Sequence, residues 1–107
     1  MKKPENMPEL GFYYHYKHDP SKSINNYAYE VTGVGCHTEQ ENTFVVMYRP
    51  LYREALVYQI GGLFDIRPLE MFMQEVKKEG KTIPRFQKIT DPKTISELER
   101  IRDEMYK

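Results

Sequence analysis

The sequence has no tryptophan, one cysteine and no long apolar run. The single thiol, Cys36, cannot form an intrachain disulfide, which fits the reducing environment of the cytosol. Residues 1–10 hold two prolines and four charged side chains, without the apolar segment of a secretion signal. No stretch is long enough to span a bilayer. These absences predict a cytoplasmic protein with no membrane contact.

An excess of charge is also missing, because 16 basic residues are balanced by 16 acidic ones. Proteins that wrap nucleic acid usually carry a clear positive excess, so only a weak nucleic-acid contact is expected. The segment from Ile66 to Lys88 is locally basic, but three glutamates interrupt it. This pattern favours a hairpin with a solvated, charged face.

Tyrosine is abundant instead, with nine residues in a chain of 107. The stretch "GFYYHYKH" at residues 11–18 alternates in the manner of a strand. Phe12, Tyr14 and Tyr16 then share one face, and we expect that face to enter the core. The other face carries Tyr13, His15 and Lys17, which are expected to project outward together.

Further strands are predicted at residues 27–37 and 43–50. Glycines 33 and 35 lie inside the first of these segments and indicate a bulge or a sharp bend. Two hairpins are expected, one around Gly61-Gly62 and one around Glu79-Gly80. A helical turn is possible at residues 69–72, directly after Pro68.

The C-terminal segment 90–107 has the periodicity of an amphipathic helix, with Ile95, Leu98 and Met105 on one face. Asp91 and Pro92 suit the N-cap and the first helical position. The apolar stripe is narrow. It fits either an open end of the chain's own sheet or the same helix of a second copy, so a homodimer through this helix is one expected partnership.

Five or six short strands followed by one helix predict a mainly β, small α+β protein. We expect a strongly bent antiparallel sheet or an SH3-like barrel, with the helix at the C-terminus. The expected organisation is a flexible N-terminal lead-in over 1–10, a small β domain over 11–89 and a C-terminal amphipathic helix over 90–107.

The Arg-Pro-Leu tripeptide occurs twice, in "MYRPLY" and in "DIRPLEMF". Together with "YYHYKH", "YEVTGVGCHTE" and "IPRF", these blocks resemble a family of small bacterial domains known as domain of unknown function 1653. The resemblance covers residues 11–89. The matching positions are Tyr13, His15, Tyr16, Lys17, Tyr48, Arg49, Leu51, Tyr52, Arg67, Pro68, Met71, Phe72, Pro84, Arg85 and Phe86. The chain has Phe64 where family members often have a tryptophan, and its link from Tyr52 to Leu63 is longer. The resemblance implies a fold and a set of positions, but no activity.

Metal binding and catalysis have little support in the sequence. His15 and His18 face opposite ways on a strand, and so do Cys36 and His37, whereas zinc needs three or four converging ligands. A lone cysteine is more often a packed apolar residue than a nucleophile activated by His15 or His37. We therefore predict no metal, no cofactor and no catalytic residue, and a small hydrolase is the least favoured function.

A binding surface agrees better with the pattern. Alternation takes Arg49 and Arg67 away from the faces of Tyr48 and Ile66, which are the residues expected to enter the core. The predicted ligand-binding residues are Tyr13, His15, Lys17, Arg49 and Arg67, with Arg85 as an outer contributor. Such a cationic, aromatic cleft suits a phosphate, a carboxylate or a single-stranded base. The alternative is that Arg49 and Arg67 form structural bridges with Glu30, Asp65 or Glu70.

Two functions follow from these observations. The first is a non-enzymatic binding module for an anionic ligand, such as a nucleotide or a short single-stranded nucleic acid. The alternative is a protein–protein adaptor that uses the edge strand near Pro84 and the C-terminal helix.

Overall fold

The computed structural model describes residues 2–107 as ten short elements. No helix in this range is long and apolar enough to cross a membrane. In chain order the elements are β1 (Gly11–His15), β2 (Ala28–Cys36), β3 (Phe44–Pro50), α1 (Leu56–Gln59), β4 (Asp65–Pro68), α2 (Leu69–Phe72), β5 (Glu75–Lys78), β6 (Lys81–Pro84), β7 (Phe86–Lys88) and α3 (Pro92–Met105).

Five strands form one antiparallel sheet in the order β4-β3-β2-β1-β7, and β5 pairs with β6 in a separate hairpin. The small, mainly β architecture with a C-terminal helix is therefore confirmed. Strands β4 and β7 stay at opposite edges and do not pair, so the sheet is open. A closed barrel, one of the two forms expected from the sequence, is wrong for this chain.

The sheet is bent enough to bring side chains from its two edges together. Four strand spacings separate β4 from β7, which is about 19 Å across a flat sheet. Yet the guanidinium carbon of Arg67 on β4 lies 5.5 Å from the ring centre of Phe86 on β7. A register shift between Val31 and Gly33 interrupts the β2–β3 ladder, at a glycine where the sequence indicated a bulge.

Both faces of this sheet are covered by other parts of the chain. The front face is defined by Tyr13, Tyr48 and Phe86, which pack with Leu69 and Phe72 of α2. The back face is defined by Phe12, Ala28 and Leu51, which pack with Leu98 of α3. Two small cores therefore lie on either side of one layer of strands.

This arrangement corrects the expectation that Tyr13 projects into solvent. Tyr13 and Phe12 do point to opposite faces, but each face has its own core, and Tyr13 is only 5% exposed. A similar correction applies to β4, where Ile66 is 62% exposed and Arg67 lies on the front face. The alternation was correct at both places. On β1 Phe12 enters a core as expected, but so does Tyr13 on the other face, and on β4 the residue expected to enter the core, Ile66, is the exposed one.

The hairpin expected around Gly61-Gly62 is wrong in its first arm, because Leu56–Gln59 forms a helical turn. The two glycines end that turn with φ values of 147° and 67°, and the Gly62 amide donates to the Tyr58 carbonyl. The Tyr58 hydroxyl donates to the Met105 carbonyl at 3.1 Å, which ties this turn to the end of α3.

The second expected hairpin is confirmed as β5–β6. Glu79 and Gly80 form its two-residue turn with φ values of 53° and 79°, the left-handed pair that such hairpins require. The strand that follows is split at Arg85, so that Phe86 begins a new strand paired with β1.

Helix α3 begins where the sequence indicated. The Asp91 carboxylate accepts from the Thr94 amide at 3.0 Å, and Pro92 occupies the first turn. The apolar stripe of α3 is covered by the back face of the chain's own sheet. Beside it, Glu30 accepts from Arg49 on β3 at 2.9 Å and from Arg102 on α3 at 3.0 Å. This carboxylate therefore links the sheet to the helix.

We expect Leu98→Ala to lower the free energy of unfolding by about 2–5 kcal/mol, because Leu98 has no exposed surface and its loss leaves a cavity under α3. Urea denaturation followed by circular dichroism measures this change. Glu99→Ala, on the exposed side of the same helix, is the matched control and should change stability by less than about 0.5 kcal/mol. Equal effects of the two variants would contradict the packing described here.

Candidate functional site

The front face is not uniformly apolar, and its polar part is centred on the ring of Phe86. One side of this ring stacks on Phe72, with ring centres 4.2 Å apart and planes 7° apart. His15 approaches the same ring edge-on at 5.1 Å, and the Arg67 guanidinium lies 5.5 Å from its centre. Phe86 therefore belongs to the buried core and also contacts two polar side chains, His15 and Arg67.

Arg67 is held by one hydrogen bond, in which its Nε donates to the Tyr48 hydroxyl at 3.1 Å. No ion pair in residues 2–107 includes Arg67. Its terminal nitrogens have no hydrogen-bond partner within that range. Tyr48 and Phe86 thus orient the guanidinium of Arg67. Its terminal N–H groups remain available to donate to an external acceptor.

Arg85 precedes Phe86 and contributes a second guanidinium. Its Nη2 donates to the Gln74 side-chain oxygen at 3.0 Å. Its Nε is buried and has no partner among the described residues. A buried donor without an acceptor is uncommon in folded proteins and indicates a place where a water or a ligand completes the bonding.

His15 is half-buried and neutral at pH 7. Its pKa is lowered to about 4, first by burial and then by the nearby charges of Arg67, Lys17, Arg85 and Lys78. The Lys17 amide donates to Nδ1 at 3.2 Å, so Nδ1 carries the lone pair and the proton of the neutral ring is on Nε2. His15 therefore offers an N–H donor here.

These five side chains are called the cationic cluster: His15, Lys17, Arg67, Lys78 and Arg85. Lys78 is partly used, since its ammonium donates to the Tyr16 carbonyl at 2.6 Å and so ties the β5–β6 hairpin to the end of β1. None of the four charged members takes part in an ion pair within residues 2–107. A surface with several donors and no acid partner favours an anion.

The structure separates the six predicted ligand-binding residues into three groups. His15, Lys17, Arg67 and Arg85 come together in the cationic cluster. Tyr13 is buried below it, and its hydroxyl donates to the Glu9 carbonyl at 2.8 Å.

Arg49 lies on the back face, where it pairs with Glu30 and stacks on the Tyr106 ring at 4.0 Å. For Arg49 the geometry is that of the structural bridge considered as the alternative. Arg67 does not form such a bridge, since no carboxylate pairs with this residue in the described part of the chain.

Sequence reasoning missed the aromatic neighbours of this cluster and considered Asp65 only as a bridge partner of the arginines. Tyr27 lies beside His15, with ring centres 5.6 Å apart, and Tyr52 lies 6.1 Å from Tyr27. Tyr52 also hydrogen-bonds to Tyr29 through the two hydroxyls. Asp65 is on the front face of β4, two residues before Arg67. Tyr27 is the neighbour of His15 across the β1–β2 pair, since its carbonyl accepts from the His15 amide. Asp65 lies beside Arg67 on β4, which only the bend of the sheet brings towards Phe86, and no local pattern in the sequence marks that bend.

The structure gives less support to metal binding or to catalysis by a cysteine. Residues 2–107 contain no group of three or more His, Cys, Asp or Glu side chains that could share a metal ion. His15 lies at the end of β1 that pairs with the start of β2, whereas Cys36 ends β2 at the far side of the sheet. A thiol–imidazole pair between these two residues is therefore not formed.

Comparison with known proteins agrees with this fold. A crystal structure of a protein from Bordetella bronchiseptica, described as belonging to DUF1653, is 27% identical and superposes with a TM-score of 0.56. The match covers 78% of this chain and 92% of that one. No curated protein matches the sequence significantly.

The profile of the family described as "Protein of unknown function (DUF1653)" matches residues 11–88. This range contains all seven strands and the complete cationic cluster. The family resemblance seen in the sequence is thereby confirmed: the chain belongs to the DUF1653 family.

Proposed function

We propose that this protein is a non-enzymatic binding module for an anionic ligand, held on the front face by Arg67, Arg85 and the Nε2–H of His15. The observation that carries the proposal is the absence of any acid partner for the charged members of the cationic cluster within residues 2–107. Elsewhere three arginines pair with carboxylates, Arg49 and Arg102 with Glu30 and Arg100 with Glu97. At the front face, an external anion would supply the negatively charged partner that the arginines lack within the described part of the chain.

A phosphate or a carboxylate has the oxygen acceptors that this cluster lacks. Two guanidiniums bind phosphate oxygens through paired N–H bonds, and the Phe86 ring gives Arg67 a fixed orientation in which to do so. Nucleotides and short single-stranded nucleic acids both carry such groups. Because the net charge of the whole chain is zero, we expect modest affinity that weakens as salt is added.

Arg67→Gln is expected to weaken phosphate binding about tenfold or more, because it removes the charge and the free donors of the guanidinium. Amide NMR titrations at low salt, with inorganic phosphate and with a pool of short oligonucleotides, measure the change. The wild-type shifts should concentrate around residues 15, 67 and 85.

The matched control is Arg100→Gln, which removes an exposed arginine of α3 that pairs with Glu97. It should leave phosphate binding unchanged. Arg85→Gln supplies a second test that does not depend on the folding of the Arg67 variant. Wild-type affinity in both front-face variants would contradict the proposal.

Anion binding should also raise the pKa of His15 above its value of about 4. The four neighbouring cations disfavour the imidazolium, and an anion among them offsets that repulsion. An NMR titration of the histidine rings with and without sulfate, which keeps its charge over this range, measures the shift.

By linkage, sulfate should then bind more tightly as the pH falls towards 4. His37 lies beyond the far end of β2 and serves as the internal control, since its ring signals should not move when sulfate is added. An unchanged pKa of His15 in saturating sulfate would exclude an anion at this cluster.

A protein–protein adaptor is the second candidate, and the apolar exposure of β4 favours it. Leu63, Phe64 and Ile66 are exposed on or beside this strand, and one edge of β4 is unpaired. The edge strand β6, which contains Pro84, is unpaired in the same way. Open edges of this kind accept a strand from another chain.

If β4 binds a second copy, sedimentation velocity should show a mass that rises with concentration, and Ile66→Lys should abolish the rise. The control is Leu10→Lys, an equally exposed apolar side chain in the N-terminal segment. A constant monomer mass at high concentration would contradict self-association through this edge.

A further inference from the structure

An aromatic platform borders the cationic cluster and is not required for binding an anion. Tyr27 is 40% exposed, and its backbone has a φ of 51°, a left-handed conformation that is uncommon for a tyrosine. The position is nevertheless fixed, since the Tyr27 carbonyl accepts from the His15 amide at 2.9 Å. An exposed ring held in an unfavourable backbone conformation indicates a functional constraint.

The loop before Tyr27 holds it in place. The Asn26 side chain accepts from the Asp19 amide at 2.9 Å and donates to the Asp19 carbonyl at 3.0 Å. The Asn25 side chain donates to the Leu51 carbonyl at 2.8 Å. Because this loop is cross-linked to itself and to the sheet, the ring of Tyr27 is available for stacking without further ordering.

Tyr27 and Tyr52 also line a surface cavity of about 230 Å³. Both rings border it, and His15 stacks against the same Tyr27 ring at 5.6 Å. Tyr27 is therefore shared between this cavity, whose lining also includes Glu54, and the contact with His15, near which the four cations lie. A planar heteroaromatic ring placed here would stack on tyrosine while its substituents reach the cations.

Asp65 adds an acceptor at the border of the same cluster. It is half-buried on the front face of β4, opposite Tyr48, and forms no ion pair or side-chain hydrogen bond within residues 2–107. Burial raises the pKa of Asp65, and the nearby charge of Arg67 acts in the opposite direction. Burial also raises the pKa of Tyr48, which lies opposite Asp65 on β3.

A carboxylate next to an anion site is unfavourable unless the ligand itself offers donors to it. Two carboxylate oxygens accept two N–H groups that lie side by side. Among the four common bases only guanine presents such a pair, the ring N1–H and the exocyclic N2–H. Adenine and cytosine place an acceptor beside their amino group, and uracil has acceptors on both sides of its one N–H.

We propose that the ligand is a guanine nucleotide, with the phosphate at Arg67 and Arg85, the base stacked on Tyr27, and the guanine N–H edge donating to Asp65. This inference rests on the proposed anion site and names the chemistry of its ligand. A free nucleotide and a guanine in a single strand share this chemistry.

The test is a set of calorimetric titrations at low salt with ribose 5-phosphate, GMP, AMP and a short guanine-containing single strand. GMP should bind about tenfold more tightly than ribose 5-phosphate because of stacking, and about tenfold more tightly than AMP because of Asp65. A single strand that binds more tightly than GMP identifies nucleic acid as the source, and the reverse order identifies a free nucleotide. Both outcomes support the proposal.

Two variants separate the contributions of the base from that of the phosphate. Tyr27→Leu should reduce GMP to the affinity of ribose 5-phosphate, while Tyr27→Phe keeps the preference. Asp65→Asn should remove the preference for GMP over AMP. Neither substitution should weaken the binding of ribose 5-phosphate. Unchanged binding of this compound also shows that the variants are folded.

Equal binding of GMP and ribose 5-phosphate would overturn the base site and leave the anion site standing. Equal binding of GMP and AMP would overturn the role of Asp65. Absence of binding by every phosphate compound would overturn the anion site itself, and with it the inference built on it.

Discussion

The ring of Phe86 is the contact on which both the fold and the candidate site depend. Phe86 comes from one edge of the sheet, and it meets Arg67 from the other edge only because the sheet bends around the front core. Its ring stacks on Phe72 below and touches Tyr48 at 5.5 Å. The burial that stabilises this core therefore also fixes where His15 and the two front-face arginines lie.

The two faces of the sheet differ in whether their positive charges are paired with carboxylates. On the back face, Glu30 accepts from Arg49 and Arg102, and Asp103 also pairs with Arg102, so the two positive and two negative charges there balance. On the front face, Arg67 has no ion-pair partner among residues 2–107, and His15 stays neutral because burial and the nearby cations lower its pKa. A chain with zero net charge thus contains one local region of positive charge, which composition alone could not reveal.

Elements whose signals are local were predictable from the sequence. The spacing of Ile95, Leu98 and Met105, with the Asp91 cap, defined α3, and Glu79-Gly80 defined a hairpin. Gly61-Gly62 was misleading, because a pair of glycines ends a helical turn as readily as it turns a hairpin. The hydrogen bond from Tyr58 to the distant Met105 carbonyl favours the helical turn, and no window around residue 58 contains that information.

The sequence by itself determined the family, the mainly β class and the sorting of side chains into two alternating sets. Only the tertiary structure decided what covers each set. Alternation states that Tyr13 and Phe12 point apart, but α2 and α3 cover both faces, so Tyr13 is buried. The β3–β4 register, which pairs Arg67 with Val46, puts Arg67 on the front face and leaves Arg49 on the back face. Tyr27 lies beside His15 through the local β1–β2 pairing, whereas Arg67 and Asp65 of β4 come towards the cluster only because strands distant in sequence bend around one core.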